Sequence, residues 1–216
     1  KRRLLTTAIA VVFGVAFISG TAVLSDVLER SVNDLVDDAY RGVDAVVRSA
    51  EAEEDPFAPV PIRKPIDDSL IEVVAGADGV QSAAGQIQLT ATMLDAEGEP
   101  TSAFGPPTFV TNYIEDDQLS SGRITRGEVP AGPGQAAIDF KTADDMGFSL
   151  GDTITVLVAQ GASRFEVVGI GGIGEDGTKA SGARVVLLDL PTVQQLGGME
   201  GKVGLVTVAA EEGVTQ

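Results

Sequence analysis

Residues 4–24 read LLTTAIAVVFGVAFISGTAVL, a run of twenty-one residues without a charge. As a helix rising about 1.5 Å per residue, such a run spans the roughly 30 Å hydrocarbon core of a bilayer. Eleven of its residues are Leu, Ile, Val or Phe, and together they favour membrane insertion by about 3 to 7 kcal/mol. The stretch predicts an N-terminal transmembrane helix that contacts the lipid bilayer through residues 4–24.

The charges on either side of this run predict its orientation. Lys1, Arg2 and Arg3 precede it, whereas Asp26 and Glu29 follow it. Cations favour the cytoplasmic side, so the N-terminus is expected in the cytoplasm and residues after about 25 outside the cell (plasma) membrane. A cleaved signal peptide is the alternative, with residues 20–22 as the cleavage site. The length of the run favours the anchor.

The segment after the run continues a helical pattern in amphipathic form. Apolar and small residues recur at spacings of three and four, and no Pro or Gly interrupts them before Gly42, a plausible C-cap. These residues are Val27, Leu28, Ser31, Val32, Leu35, Val36, Ala39 and Val43. Residues 1–42 are therefore predicted to form one rod of transmembrane helix and stalk, with about 38 helical residues and a length of roughly 57 Å.

The rest of the chain alternates short strands with shorter helical segments. Strands are predicted near 44–48, 79–95, 108–114, 136–140, 153–159, 165–170, 183–188 and 203–209, and helices near 70–76, 142–146 and 191–196. Residues 122–134 hold four glycines and two prolines, which predicts a rigid, turn-rich crossing. The predicted fold class is α+β, with the helical rod leading into a mixed α+β domain outside the cytoplasm.

Composition excludes several kinds of chemistry. The chain has no His and no Cys, which removes His-based triads, thiolate nucleophiles, disulfides and zinc sites built on these residues. Residues 25–216 contain twelve basic residues and all 32 acidic residues, which gives a net charge of −20. Such a surface repels nucleic acid and anionic lipid headgroups, so neither is an expected partner of the external part.

Adjacent acidic residues are the remaining candidates for catalysis. They occur at 37–38, 67–68, 116–117, 144–145 and 211–212. Sequence neighbours point apart on a helix or strand, so such pairs are expected to be solvated surface groups. We therefore predict no catalytic, cofactor-binding or metal-binding residues and no cofactor.

One glycine-rich stretch formally fits a nucleotide-binding pattern. Residues 169–174 read GIGGIG after a predicted strand, but no helical pattern begins at the last glycine to present its amides to a phosphate. A flexible loop between strands is the better interpretation. The chain also has no Walker-type glycine-lysine loop, so ATP hydrolysis is expected in a separate subunit and the chain is not expected to be an enzyme.

Two groups of motifs resemble one known family. Residues 1–8, 14–17 and 21–26 look like the first helix of actinobacterial members, and residues 122–135 with Thr142, Ala143, Gly147 and 150–152 look like the middle of its external domain. Residues 165–169 and 188–192 also fit. The chain is therefore similar to the permease subunits of the MacB/FtsX-like ABC transporter family.

The resemblance implies a mechanism and a set of partners. A cytoplasmic ATP-binding subunit would move the permease helices, and the stalk would transmit this movement to an external domain that exports or handles a substrate. The other permease helices, a dimer or pseudo-dimer, and an external protein partner belong to the same expectation. The chain would end just before a second transmembrane helix.

The family's external domain has two parts, which the resemblance places at particular residues. A membrane-proximal, porter-like subdomain is expected at 43–118, with 191–216 returning to it, and an inserted outer lobe is expected at 119–190. Together with the rod at 1–42, this is the expected domain organisation.

Two other classes of function stay open. The same anchor and acidic domain would serve a membrane-anchored or secreted binding module without a transport role. A carboxylate-based hydrolase would need two buried acids within about 5 to 10 Å of each other in a cleft.

The stalk hypothesis can be tested by the substitution Leu35→Pro. Proline inside a helix costs about 3 kcal/mol or more, because it removes a hydrogen bond and clashes with the preceding turn. We expect ATP-coupled activity of the whole assembly to be lost while circular dichroism shows that the external domain still folds. Coupled activity that survives the substitution would rule out a rigid lever.

Overall fold

The computed structural model describes Phe17, Thr21 and residues 42–53, 62–94, 100, 107–174, 177–178 and 182–214. Compact units span 1–38 and 39–216. The predicted transmembrane helix and stalk lie outside the described residues, apart from three positions. Phe17 and Thr21 are helical, with the Thr21 hydroxyl donating to the Phe17 carbonyl at 2.9 Å, and Gly42 is a turn residue. No helix among the described residues is long and apolar enough to cross a bilayer.

The described part of the second unit contains fourteen strands and three helices. The strands are β1 Ala45–Val47, β2 Ala52–Glu53, β3 Ile62–Arg63, β4 Ile66–Asp67, β5 Val80–Gln86, β6 Gln88–Leu94, β7 Thr108–Asn112, β8 Gly122–Gly127, β9 Gln135–Asp139, β10 Thr153–Val158, β11 Gly161–Ile173, β12 Arg184–Leu188, β13 Lys202–Val203 and β14 Leu205–Ala210. The helices are α1 Leu70–Ala75, α2 Phe140–Met146 and α3 Leu190–Gly197.

A small antiparallel sheet joins the two ends of this unit. Its strand order is β1-β14-β5, so Val208 pairs with Ala45 on one side and with Ala83 on the other. Helix α1 packs on β5 and β14. Two-stranded ladders β4–β13 and β2–β3 add to the described strands.

The larger sheet closes on itself. Its strand order is β10-β6-β7-β12-β9-β11-β8, and β10 also pairs with β11. Six strands therefore form a closed ring, in which β7–β12 and β9–β11 run parallel and the other pairs antiparallel. Strand β8 pairs with the second half of β11. Closure into a barrel leaves no unpaired edge among the six ring strands.

Apolar side chains fill the barrel because they alternate along its strands. In β10, Ile154, Val156 and Val158 are buried while the residues between them are more exposed, as the two-residue period of a strand requires. Side chains of the other strands join the same core: Met93, Val110, Ile138, Phe165, Val167, Ile170, Val186 and Leu188. The α+β class predicted from the sequence is confirmed.

Two sequence interpretations are wrong at their boundaries. The crossing predicted at 122–134 contains strand β8, and only residues after Gly127 form turns. The loop predicted at 169–174 is strand up to Ile173, as the end of the thirteen-residue β11. Glycine content indicated turns at both places, whereas the glycines actually let β8 and β11 approach closely.

Gly171 shows why this approach needs glycine. A Cβ at Gly171 would lie 2.0 Å from the backbone oxygen of Arg123 in β8, and one at Gly169 would lie 2.3 Å from that of Glu128. The pairing of β8 with β11 also shifts register between Ile170 and Gly171. Two glycines of the pattern GIGGIG, Gly169 and Gly171, are therefore required by strand packing.

The expected division into subdomains stays a prediction. The three-stranded sheet uses only strands from 43–118 and 191–216, whereas the barrel combines β6 and β7 with strands from 119–190. The strands of the expected outer lobe thus share one sheet with two strands that precede them.

Gly171→Ala tests the close approach of β8 to β11. Since backbone must move to admit the methyl group, we expect the free energy of unfolding to fall by about 3 kcal/mol and the melting temperature by about 6 to 12 °C. Gly132→Ala is the matched control, because nothing lies within 4 Å of its Cβ position. Equal melting temperatures for the two variants would contradict the assignment.

Candidate functional site

The chain passes from the small sheet to the barrel at a single residue. Ile87 separates β5 from β6 and is 2% exposed. The return crossing lies beside it, because the Gly204 amide donates to the Gln86 carbonyl at 3.0 Å just before β14 begins. We call the backbone at 85–87 and 204, with the groups that bind it, the junction.

Asn112 holds the junction through both ends of its amide. Its Nδ2 donates to the Gly85 carbonyl at 2.9 Å, and its Oδ1 accepts from the Ile87 amide at 2.8 Å. The hydroxyl of Thr111 donates to the Ile87 carbonyl at 2.7 Å. Asn112 is only 5% exposed, and a buried side chain that satisfies two backbone groups fixes their separation and direction.

The position of Asn112 follows from strand alternation. In β7 the buried residues are Thr108, Val110 and Asn112, so Asn112 occupies the inward-facing position at the strand's end. An amide at an inward position is the sequence signal that could have indicated the clamp. The sequence reasoning above assigned no role to this residue.

Packing also restricts the junction. A Cβ on Gly85 would lie 2.6 Å from Ile71 Cδ1 and 2.8 Å from Val203 Cγ1. Side chains of helix α1 and strand β13 therefore pack against the backbone that Asn112 binds, and they would have to shift to admit a side chain at position 85.

The N-terminal end of the unit contacts the other end of β14, away from the junction. Gly42 has φ of +72°, and a Cβ there would lie 2.0 Å from the Gln118 carbonyl oxygen in the segment after β7. Two residues later, the Asp44 carboxylate accepts from the Ala210 amide at 2.8 Å, and the Asp44 amide donates to the Val208 carbonyl at 2.8 Å. The point at which the predicted stalk ends thus contacts both β14 and the segment that follows β7.

Asp116 lies in that segment and is held as a carboxylate. Partial burial acts to raise its pKa, but the nearby Ser82 hydroxyl and the amides of Gln118 and Leu119 outweigh it, so the pKa of Asp116 is lowered. The Gln118 amide donates to Asp116 Oδ1 at 2.8 Å. A lowered native pKa stabilises the fold above the unfolded pKa, and this contribution is lost as the pH falls through the native value.

Helix α3 is tied to the small-sheet side by one buried amide. Gln194 Nε2 donates to Asp68 Oδ2 at 2.9 Å and to the Lys202 carbonyl at 3.0 Å. These contacts join α3 to the segment between β4 and α1 and to β13. The Asp68 amide in turn donates to the Gly201 carbonyl at 3.0 Å.

The acidic pairs of the sequence do not form a catalytic site in the part of the chain that the structure describes. Members of a pair have different partners: Asp67 accepts from Ser69, whereas Asp68 accepts from Gln194. Likewise, Lys141 binds Asp145 of the 144–145 pair. The pair at 37–38 lies outside the described residues.

A single carboxylate, Asp139, is buried among the described residues. Its Oδ1 accepts from the Thr142 amide at 2.9 Å as the N-cap of α2, and its Oδ2 accepts from the Val185 amide at 2.8 Å. Both oxygens therefore serve the structure. The described residues contain no group of three or more acidic side chains placed to hold a metal ion.

Asn112→Ala tests the clamp. The change leaves the Ile87 amide and the Gly85 carbonyl without their partner, and each buried unsatisfied group costs about 1 to 3 kcal/mol. We expect the free energy of unfolding to fall by about 2 to 5 kcal/mol, with faster hydrogen exchange at the Ile87 amide than at barrel amides such as that of Val156. Gln88→Ala, at the adjacent exposed position, is the control. Uniform acceleration across the domain would argue against a local clamp.

The comparisons with known proteins agree with this architecture. A family model described as the MacB-like periplasmic core domain matches residues 4–216. The periplasmic region of MacB from Actinobacillus actinomycetemcomitans superposes with a TM-score of 0.54 at 11% identity, covering 82% of this chain and 80% of that one. The extracellular domain of the noncanonic ABC-type transporter YknZ from Gram-positive bacteria gives a TM-score of 0.53 at 16% identity, covering 78% and 85%. No curated protein matches the sequence.

These matches confirm the resemblance found in the sequence. The solved structures share the fold, and the family model covers nearly the whole chain. The described α+β domain is thus an extracytoplasmic part of a permease. The chain belongs to the MacB-like periplasmic core domain family of ABC transporter permeases.

Proposed function

We propose that the chain is the extracytoplasmic arm of its permease and transmits ATP-driven movements of the membrane helices to the external domain. The observation that carries the proposal is the set of contacts made by Gly42, Asp44 and β1. The residues directly after the predicted stalk bind the central strand of the small sheet and the segment after β7. A displacement of the stalk would act on these contacts first.

A continuous path leads from there into the barrel. Strand β14 pairs with β1 and with β5, and β5 enters β6 through the Ile87 junction that Asn112 clamps. Hydrogen-bonded strands resist stretching and sliding, so a pull on β1 would move the barrel rather than be absorbed by a loop. Energetic coupling of this kind requires a contiguous packed network, and these contacts supply one.

The anchor and the partners belong to the same proposal. Residues 4–24 would cross the bilayer, with the N-terminus cytoplasmic and the unit 39–216 outside. ATP would be hydrolysed by a cytoplasmic ATP-binding subunit, and other permease helices would complete a dimer or pseudo-dimer. An external protein partner would receive or pass on the substrate. A membrane-anchored or secreted binding module is the alternative that the experiment below separates.

The test measures whether ATP moves the barrel relative to the membrane. The chain has no Cys, so Asp144→Cys places a single dye on the exposed side of α2, and lipid headgroups in a nanodisc carry the acceptor. In the permease assembled with its ATPase, we expect ATP to change the energy transfer.

A flexible insertion in the stalk should abolish the ATP-dependent change in energy transfer. Inserting Gly-Ser-Gly-Ser between Tyr40 and Arg41 leaves Gly42 and β1 in place, so ATP hydrolysis should continue without a change in energy transfer. The same insertion between Glu97 and Gly98, which lie between the strands predicted near 79–95 and 108–114, is the control and should leave the change intact. An ATP response that persists after the first insertion, or that is missing in the parent assembly, would overturn the proposal.

A further inference from the structure

A groove of about 400 Å³ lies at one end of the barrel. It is bordered by the hairpin between β10 and β11, the turn before β9, and helix α3. Because β9 and β11 are parallel and β10 is antiparallel to β11, the borders contributed by these strands lie at the same end. Barrel mouths are frequent places for small ligands, and this volume falls within the usual range of ligand sites.

The groove has an apolar part. Val158 and Phe165 line it and belong to the buried core, at 8% and 4% exposure, and Leu196 of α3 packs against the same core. A ligand group placed against these three side chains would lose contact with water. Burial of such a group favours binding in proportion to its apolar area.

The groove is also lined by polar side chains whose hydrogen-bonding groups have no partner among the described residues. Ser163, Arg164, Thr192 and Gln195 line it, and none of their side chains makes a hydrogen bond or ion pair with another described residue. Thr192 is only 8% exposed. The hydrogen-bonding atoms of these four side chains are therefore available to a ligand in the groove.

The charge of the residues that line the groove indicates the charge of its ligand. The whole chain carries a net charge of −17, yet the lining contains no Asp or Glu, and Arg164 is its one charged side chain. A guanidinium presents two parallel N–H donors that match a carboxylate. One cation balances one negative charge, which favours a carboxylate over a doubly charged phosphate.

We propose that this groove is a binding site for a small carboxylate that carries an apolar group, such as an acylated amino acid. The carboxylate binds Arg164, the apolar group rests on Phe165 and Leu196, and the remaining polar atoms bind Thr192 and Gln195. The site does not depend on the proposed function, because the groove would bind its ligand whether or not the chain transmits movement.

The test uses N-acetylphenylalanine and its uncharged amide as matched probes. The full chain in lipid nanodiscs, with labelled Val and Leu methyl groups, is titrated with each compound and followed by NMR. We expect saturable shifts of the Val158 and Leu196 methyl signals and none at Val73, which is 67% exposed on α1 outside the groove. The amide should bind about tenfold more weakly, because it lacks the charge-assisted hydrogen bonds.

Substitutions assign the effect to the groove. Arg164→Gln should remove the preference for the carboxylate, while Arg126→Gln, an exposed arginine of β8 outside the lining, should leave it intact. Thr192→Val should weaken both probes. Shifts that do not saturate, shifts of equal size at Val73, or a preference that survives Arg164→Gln would each overturn the proposal.

Discussion

The structure depends on one constraint, which is that the chain changes sheets at a single buried residue. Ile87 has no loop on either side to absorb a change of direction, and one side chain binds both its amide and the carbonyl of Gly85. Asn112 satisfies both, at 2.8 and 2.9 Å. Without this amide, both backbone groups would lose a hydrogen-bond partner at the point where the two sheets meet. The relative position of small sheet and barrel is therefore set by side-chain hydrogen bonds and close packing.

Closure of the barrel makes the structure beside the junction resistant to sliding of its strands. An open sheet could slide its edge strands, but each strand of the six-membered ring is bound on both sides. The long strand β11 holds the ring together, since it pairs with β10, β9 and β8 in succession. Its glycines allow β8 to lie against it where any side chain would meet the backbone of Arg123 or Glu128. In the proposed mechanism, a barrel built this way would move as one body with the junction.

The sequence predicted much of this fold and little of the site. Strand β10, predicted near 153–159, and helix α1, predicted near 70–76, are local features, and local features can be read from residue spacing. Glycine at 169–174 was misread because the same residue serves turns and close strand contacts, and only the partner strand decides between them. The clamp by Asn112 joins residues 25 and 27 positions apart. Spacing along the chain does not reveal that pairing, although an amide at an inward position of β7 is a hint.

Helix α3 connects the groove to the small-sheet side of the domain. Thr192 and Gln195 line the groove, while Gln194 between them binds Asp68 and the Lys202 carbonyl on the other side. Lys202 is the first residue of β13, and the second, Val203, packs beside the position of Gly85. A ligand that draws α3 toward the barrel mouth would thus pull on the Gln194 contacts, and through β13 on the packing at the junction. If a ligand in the groove changes the equilibrium for moving the junction by some factor, then by linkage moving the junction changes the affinity of the groove for that ligand by the same factor. The groove and the junction are therefore two positions on one hydrogen-bonded and packed path.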